Sequence, residues 1–214
     1  MCPVRLIKNA YHHGNLRAAL IQGALKLMAK EGESFSLRDL AKRVGVSPPA
    51  LYSHFADKES LLVAVAIAGF EQLKGCMETA IKQTPDPQQQ FVCMGRAYVQ
   101  FGMDNPALYN LMCSGEELPA KRFEFPELKE AGNGCFQALT GMLAEMQKSG
   151  FMRPGHLDLD GFTIWAHVHG LTSLIVTGRV ECVSGHVEGM PVLPMDQLVE
   201  LSLNNLLQGF RPAK

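Results

Sequence analysis

Apolar residues recur at helical spacing along almost the whole 214-residue chain, and nowhere does two-residue alternation persist long enough to demand a sheet. Leu16, Leu20, Ala24, Leu27 and Met28 share one face of a helix that starts after Gly14, with Asn15 as its cap, and stops at Gly32. Ser36 with Asp39 three residues on predicts a capping box, and Leu37, Leu40, Ala41 and Val44 repeat over roughly two turns before Gly45. Ser47 caps a third start, Pro48 takes a first helical position where its missing N–H costs nothing, and Leu51 and Phe55 share the next apolar face. Asp57 caps a fourth helix, whose stripe of Leu62, Ala66, Phe70, Leu73, Met77 and Ile81 lasts about six turns.

Beyond the breaker Thr84-Pro85-Asp86-Pro87, the same reading predicts helices near 88–103, 106–113, 126–149, 158–180 and 194–208, with loops over 114–125 and 181–193. Asn105-Pro106 reads as a cap followed by a first-turn proline, hence a new helix. The β-branched run Ile175-Val176-Thr177 is too short to outweigh the helical pattern leading into it. The expected fold class is all-α.

Hydrophobic residues at 47% and charged residues at 19% are enough to bury a core, which argues against disorder. The longest apolar run, Leu61 to Phe70, is short for a bilayer, and Arg5, Lys8, Tyr11, His12 and His13 break up any secretory signal. A cytoplasmic protein with no membrane partner is expected. Cys2, Cys76, Cys93, Cys113, Cys135 and Cys182 form no C-x-x-C pair and read as reduced, mostly buried thiols. The net charge of -1 hides an asymmetry. Residues 1–62 hold nine Lys+Arg against five Asp+Glu, a net of +4, and residues 63–214 hold eleven against sixteen, a net of -5. A basic N-terminal module that meets an anion is the implied organisation.

Short helices joined by Gly45-Val46-Ser47 have the anatomy of a helix-turn-helix, in which the second helix presents its N-terminal end to the major groove. That end carries Ser47, Pro48, Pro49, Ala50, Tyr52 and Ser53. With Leu51 and Phe55 pointing inward, Pro49, Ala50, Tyr52, Ser53 and His54 remain for contact. The set is poor in the Arg, Asn and Gln that make bidentate base contacts, so thymine-methyl contacts and hydroxyls from Tyr52 or Ser53 must do more of the reading. Lys58, in the next first turn, reaches a phosphate, as do the backbone N–H groups there.

The run Ser36-Leu37-Arg38-Asp39-Leu40-Ala41-Lys42-Arg43-Val44-Gly45-Val46-Ser47, with Leu51-Tyr52-Ser53-His54-Phe55-Ala56-Asp57-Lys58-Glu59-Ser60-Leu61-Leu62, resembles the DNA-binding domain of the tetracycline-repressor (TetR) family. Tyr11-His12-His13-Gly14-Asn15-Leu16-Arg17 and Trp165-Ala166-His167-Val168-His169-Gly170 resemble the subgroup whose regulatory domain is named for a Trp-His-Gly motif. The resemblance implies a homodimer whose N-terminal domains, over 1–60, bind a palindromic double-stranded operator. Its helical regulatory and dimerisation domain, over 61–214, would bind a small-molecule effector that changes the separation of the reading heads and releases DNA. By motif position the resemblance places Ser36 and Arg38 on phosphates, Tyr52 and His54 among the recognition contacts and Lys58 at the backbone anchor. Pro48-Pro49 departs from the small or polar residue often found at the second place.

In the regulatory half, Met94, Tyr98, Phe101, Tyr109, Met112, Trp165 and His169 are the candidate ligand-lining residues, and they suit a mainly apolar effector with one or two hydrogen-bonding groups. Trp165 and His169, at i and i+4, either line that pocket or fix a helix crossing. Imidazoles in an H-x-H pair such as His167 and His169 point about 200° apart on a helix, which argues against a shared metal. Ala166, Gly170 and Gly178, with Leu198, Leu201, Leu203, Leu206 and Leu207, predict a dimer seam built from the last two helices. No phosphate-binding loop, nucleophile elbow or H-E-x-x-H motif occurs, and Gly132-Asn133-Gly134 lacks a third glycine, so neither an enzyme nor a cofactor is expected. The rival reading is a helical carrier or enzyme that kept the fold without promoter control.

Overall fold

The computed structural model describes residues 16–32, 34–114, 125–180 and 193–213. Among these every regular element is helical and none is a strand. In chain order they are α1 (Leu16–Glu31), α2 (Leu37–Val44), α3 (Pro48–Tyr52), α4 (Lys58–Ile81), α5 (Pro87–Asp104), α6 (Pro106–Tyr109), α7 (Pro126–Lys148), α8 (Leu157–Val176) and α9 (Met195–Gln208), with a π turn over Asn110–Ser114 following α6. The Asn15 cap, Tyr11 to Gly14, Cys2, Cys182 and almost all of the two expected loops lie outside the described residues.

Two elements differ in extent from the sequence expectation. The helix expected over 106–113 is α-helical only to Tyr109, and a wider π turn carries the buried Leu111 and Met112. The helix expected to run to residue 180 ends at Val176, where Thr177 caps it and Gly178 takes φ +68°, a left-handed conformation that breaks the ladder. Helix α4, Lys58–Ile81, has the length its apolar stripe predicts, and by length and composition it is long and apolar enough to cross a membrane, which the run Leu61 to Phe70 alone did not suggest. Half of its most apolar window is nevertheless buried by the protein's own side chains, as in the core helix of a folded domain.

The contacts group the described residues into two compact units, one holding those from Leu16 to Glu71 with those within 105–132, the other holding 72–104 and those from Asn133 onward. Both the expected boundary at residue 60 and the division after Glu71 fall inside α4, which runs from one unit into the other.

In the first unit α1 packs on α2 and α6, and α2 on α3. The expected stripe of α1 supplies Leu20, Ala24, Leu27 and Met28 to a core completed by Leu40, Leu51, Phe55, Leu61 and Tyr109. A Cβ added at Gly69 of α4 would stand 2.5 Å from Met112 Sδ and 2.9 Å from Leu108 Cδ1. Glycine there lets the side chains of Leu108 and Met112 close on that helix without shifting.

In the second unit α5 packs on α8 and α9, and α8 on α9. Phe91, Met94, Val99, Ile164, Val168 and Leu203 are buried there. The Arg153 guanidinium lies over the Phe210 ring and that of Arg211 over Phe151, tying the turn after α7 to the end of α9.

Candidate functional site

The helix-turn-helix is built from local chemistry. Ser36 Oγ accepts the Asp39 N–H at 3.1 Å while the Asp39 carboxylate accepts the Ser36 N–H at 3.1 Å, completing the expected capping box. The Ser36 hydroxyl also donates to that carboxylate. These bonds, with the Ser36 side chain first, hold the Asp39 carboxyl below its usual range. Ser36 is thus committed to its own helix cap, and its hydroxyl proton must leave Asp39 before it can serve a phosphate. Arg38 is exposed one turn position beyond.

Helix α2 ends as the turn requires. Gly45 takes φ 79°, ψ 33°, and the N–H groups of Gly45 and Val46 both donate to the Ala41 carbonyl, at 2.9 and 3.0 Å. Ser47 then caps α3, its Oγ accepting the Ala50 N–H at 3.4 Å, with Pro48 and Pro49 filling the first helical positions. The helix is only five residues long, so Phe55 follows it instead of lying on it. Leu51 and Phe55 are nonetheless both buried, which leaves Pro48, Pro49, Tyr52, Ser53 and His54 exposed and Ala50 half-exposed, with Tyr52 at 48%. Ser53 Oγ donates to the Ala50 carbonyl at 2.7 Å, so toward a ligand it offers its lone pairs.

Helix α4 starts from a reciprocal cap, the Ser60 N–H donating to Asp57 Oδ1 at 2.8 Å and the Asp57 N–H to Ser60 Oγ at 3.3 Å. Lys58 Nζ sits 5.2 Å from the centroid of the buried Phe35 ring. Arg17 does the same over Phe55, at 5.3 Å. Sequence reasoning missed Arg17, because its partner lies far along the chain; the one available signal was a basic residue at the head of the apolar stripe of α1, three positions before Leu20.

The residues expected to line a ligand site divide between the two units. Met94, Tyr98 and Phe101 are buried on one face of α5. Tyr98 Oη lies 3.3 Å from His169 Nδ1 on α8, and the His169 ring stacks on Trp165 with centroids 5.4 Å apart. Burial lowers the His169 pKa from its usual 6.5, so the imidazole is held neutral and able to accept the Tyr98 proton. Tyr109 and Met112 instead belong to the core of the first unit. The H-x-H imidazoles face different helices, since His167 Nε2 pairs with Ser202 Oγ of α9 at 2.8 Å.

The expected leucine seam is largely spent on internal packing. Leu203 and Leu207 are buried, Leu198 and Leu206 half-buried, and only Leu201 is exposed. Of the two helices expected to form the seam, α8 carries most of the exposed apolar surface: Leu159 is 62% and Phe162 56% exposed, with Leu174 and Trp165 also on the surface and Ala166 and Gly170 between them.

Known proteins share this architecture. Residues 20–65 match the family model described as bacterial regulatory proteins, tetR family, and residues 91–200 match the tetracyclin repressor-like C-terminal domain. Over 97 residues the chain is 26% identical to the uncharacterized HTH-type transcriptional regulator YobS of Bacillus subtilis, a match covering 45% of this chain and 50% of that protein. Over 53 residues it is 49% identical to the tetracycline repressor protein class C of Escherichia coli, covering 24% of each. The chain thus spans half the length of the first of these relatives and about a quarter of the second. A solved structure of a protein of unknown function from Rhodococcus sp. RHA1 superposes with a TM-score of 0.78 at 28% identity, over 96% of this chain and 100% of that one. With a reading-head model over α1 to α4 and a regulatory model over more than half of its length, the chain belongs to the tetracycline-repressor family of bacterial regulatory proteins.

Proposed function

We propose that this protein is a one-component, ligand-responsive transcriptional regulator of the cytoplasm, a repressor that binds a palindromic operator as a homodimer and is released by a small, mainly apolar effector. The observation that carries the reading is the end of α3: Leu51 and Phe55 are pinned in the core, so the rigid turn Gly45-Val46-Ser47 delivers Tyr52, Ser53 and His54 to the surface as a set. Arg38 and Lys58 are placed as backbone contacts that fix register while carrying no sequence information. The exposed stripe of α8, with Leu201 of α9, supports the homodimer, since a soluble domain seldom leaves Leu159 and Phe162 both facing water. The pairing of Tyr98 with His169 beneath Trp165 supplies the hydrogen-bonding handle that an otherwise apolar effector needs. An effector that binds one separation of the two heads better than another shifts the dimer away from DNA by that difference in affinity.

Selection from a randomised pool of duplex DNA tests this directly. The expected result is enrichment of a palindrome with half-sites set by the two-fold axis of the dimer, bound more tightly than bulk DNA by a factor of about 10³ or more. Failure to enrich any sequence would refute promoter control and favour the carrier or enzyme reading.

A further inference from the structure

We propose that Arg17 is an additional DNA-backbone contact of the reading head, a guanidinium held ready for a phosphate beside the recognition helix; this rests on the DNA-binding reading above. Arg17 lies in the first turn of α1, exposed at the head of the face that further along buries Leu20, Ala24, Leu27 and Met28, so its side chain points toward the elements packed on that face. Its Cζ stands 5.3 Å from the centroid of the Phe55 ring. Phe55 is 2% exposed and comes immediately after Tyr52, Ser53 and His54, the exposed set at the end of α3. The cation is therefore fixed within a side chain's length of the surface that would meet DNA.

Attraction to the ring acts on the guanidinium's charge and uses none of its five N–H donors, which remain available for hydrogen bonds. Ring contact and phosphate contact are thus compatible, and holding the side chain in place beforehand removes part of the ordering cost of binding. Among the described residues no ion pair engages Arg17, so its charge is not neutralised by a carboxylate there. Lys58, already placed as a backbone anchor, is held in the same way over Phe35. Two cations of one unit, each seated on a buried aromatic ring of the helix-turn-helix, form a pair of phosphate contacts of which the motif itself discloses one.

Non-specific binding is electrostatic, so the test needs no operator: the full chain is titrated against a labelled mixed-sequence duplex across a range of salt concentrations. Arg17→Gln is expected to make the slope of log Kobs against log salt shallower by ~0.9 for each phosphate that the guanidinium neutralises. Arg17→Lys keeps the charge and is expected to retain the wild-type slope, and both variants are melted to compare folding. A wild-type slope in Arg17→Gln overturns the proposal. So does a weakening that Arg17→Lys shares together with a lowered Tm, because Arg17 would then be a packing residue of Phe55 alone. If the unaltered protein binds no duplex at all, the DNA-binding reading itself falls, an outcome distinct from either.

Discussion

At the scale of single residues, the candidate interface separates side chains that hold the motif from those free to read. Tyr52 is free to read: its ring is 48% exposed while its neighbour Leu51 is fully buried. Removing only the hydroxyl in Tyr52→Phe should leave the Tm within about a degree of wild type. It should weaken binding to a selected operator several-fold, the worth of one hydrogen bond of roughly 0.5–1.5 kcal/mol. Equal operator affinity in gel-shift titrations would remove Tyr52 from the contact set. His169 lies in the other unit, outside that interface. Its pKa is lowered by burial from 6.5, so the folded state takes up its proton at lower pH than the unfolded chain does. In the window just below pH 6.5 the unfolded chain binds more protons, and stability falls with the pH. Protonation also makes both ring nitrogens donors, so Nδ1 can no longer accept from the Tyr98 hydroxyl 3.3 Å away. Melting curves between about pH 8 and pH 5 should therefore show a drop in Tm that is smaller in His169→Gln, and parallel curves for the two proteins would contradict this account.

At the scale of elements, the reading head depends on a turn that few residues can make. Gly45 sits at φ 79° with its N–H on Ala41, a conformation in which a Cβ is strained whatever the surrounding space. Gly45→Ala should cost about 1–3 kcal/mol in chemical denaturation, and it should reduce operator affinity further because α3 is aimed by the turn. Unchanged stability would mean that the turn relaxes without cost. The π turn after α6 shows a different control. Its residues read as a plain helical continuation, and the close fit of Met112 and Leu108 at Gly69 is a matter of what the chain meets in space.

At the scale of the whole molecule, the surface of α8 is the feature that a monomer does not explain. Leu159, Phe162 and Leu174, with Leu201 of α9, would each bury apolar area worth about 25 cal/mol per Å² when covered by a second copy. The protein should sediment as a dimer in analytical ultracentrifugation, and Phe162→Asp, whose charge would be buried unpaired in the seam, should shift it to monomer with its helical circular dichroism intact. A wild-type species that stays monomeric at every concentration would exclude the homodimer. The leucines of α9 carry less of the expected seam than their number suggests, because Leu203 and Leu207 are consumed in packing their own unit.

The sequence by itself determined the helices and their punctuation, because these rest on interactions within a few residues: the Ser36–Asp39 box, the Gly45 turn, the Ser47 and Asp57 caps and the buried stripes of α1 and α4 all follow from local spacing. It made the exposed set at the end of α3 legible for the same reason, since Leu51 and Phe55 declare which side faces inward. Only the tertiary structure decided matters that depend on partners distant along the chain. Arg17 meets Phe55, Tyr98 meets His169, and Tyr109 with Met112 packs in the unit of the helix-turn-helix although the sequence placed them in the regulatory half. Periodicity reports which face of a helix is apolar, but which neighbour covers that face, and whether any does, is settled by packing alone.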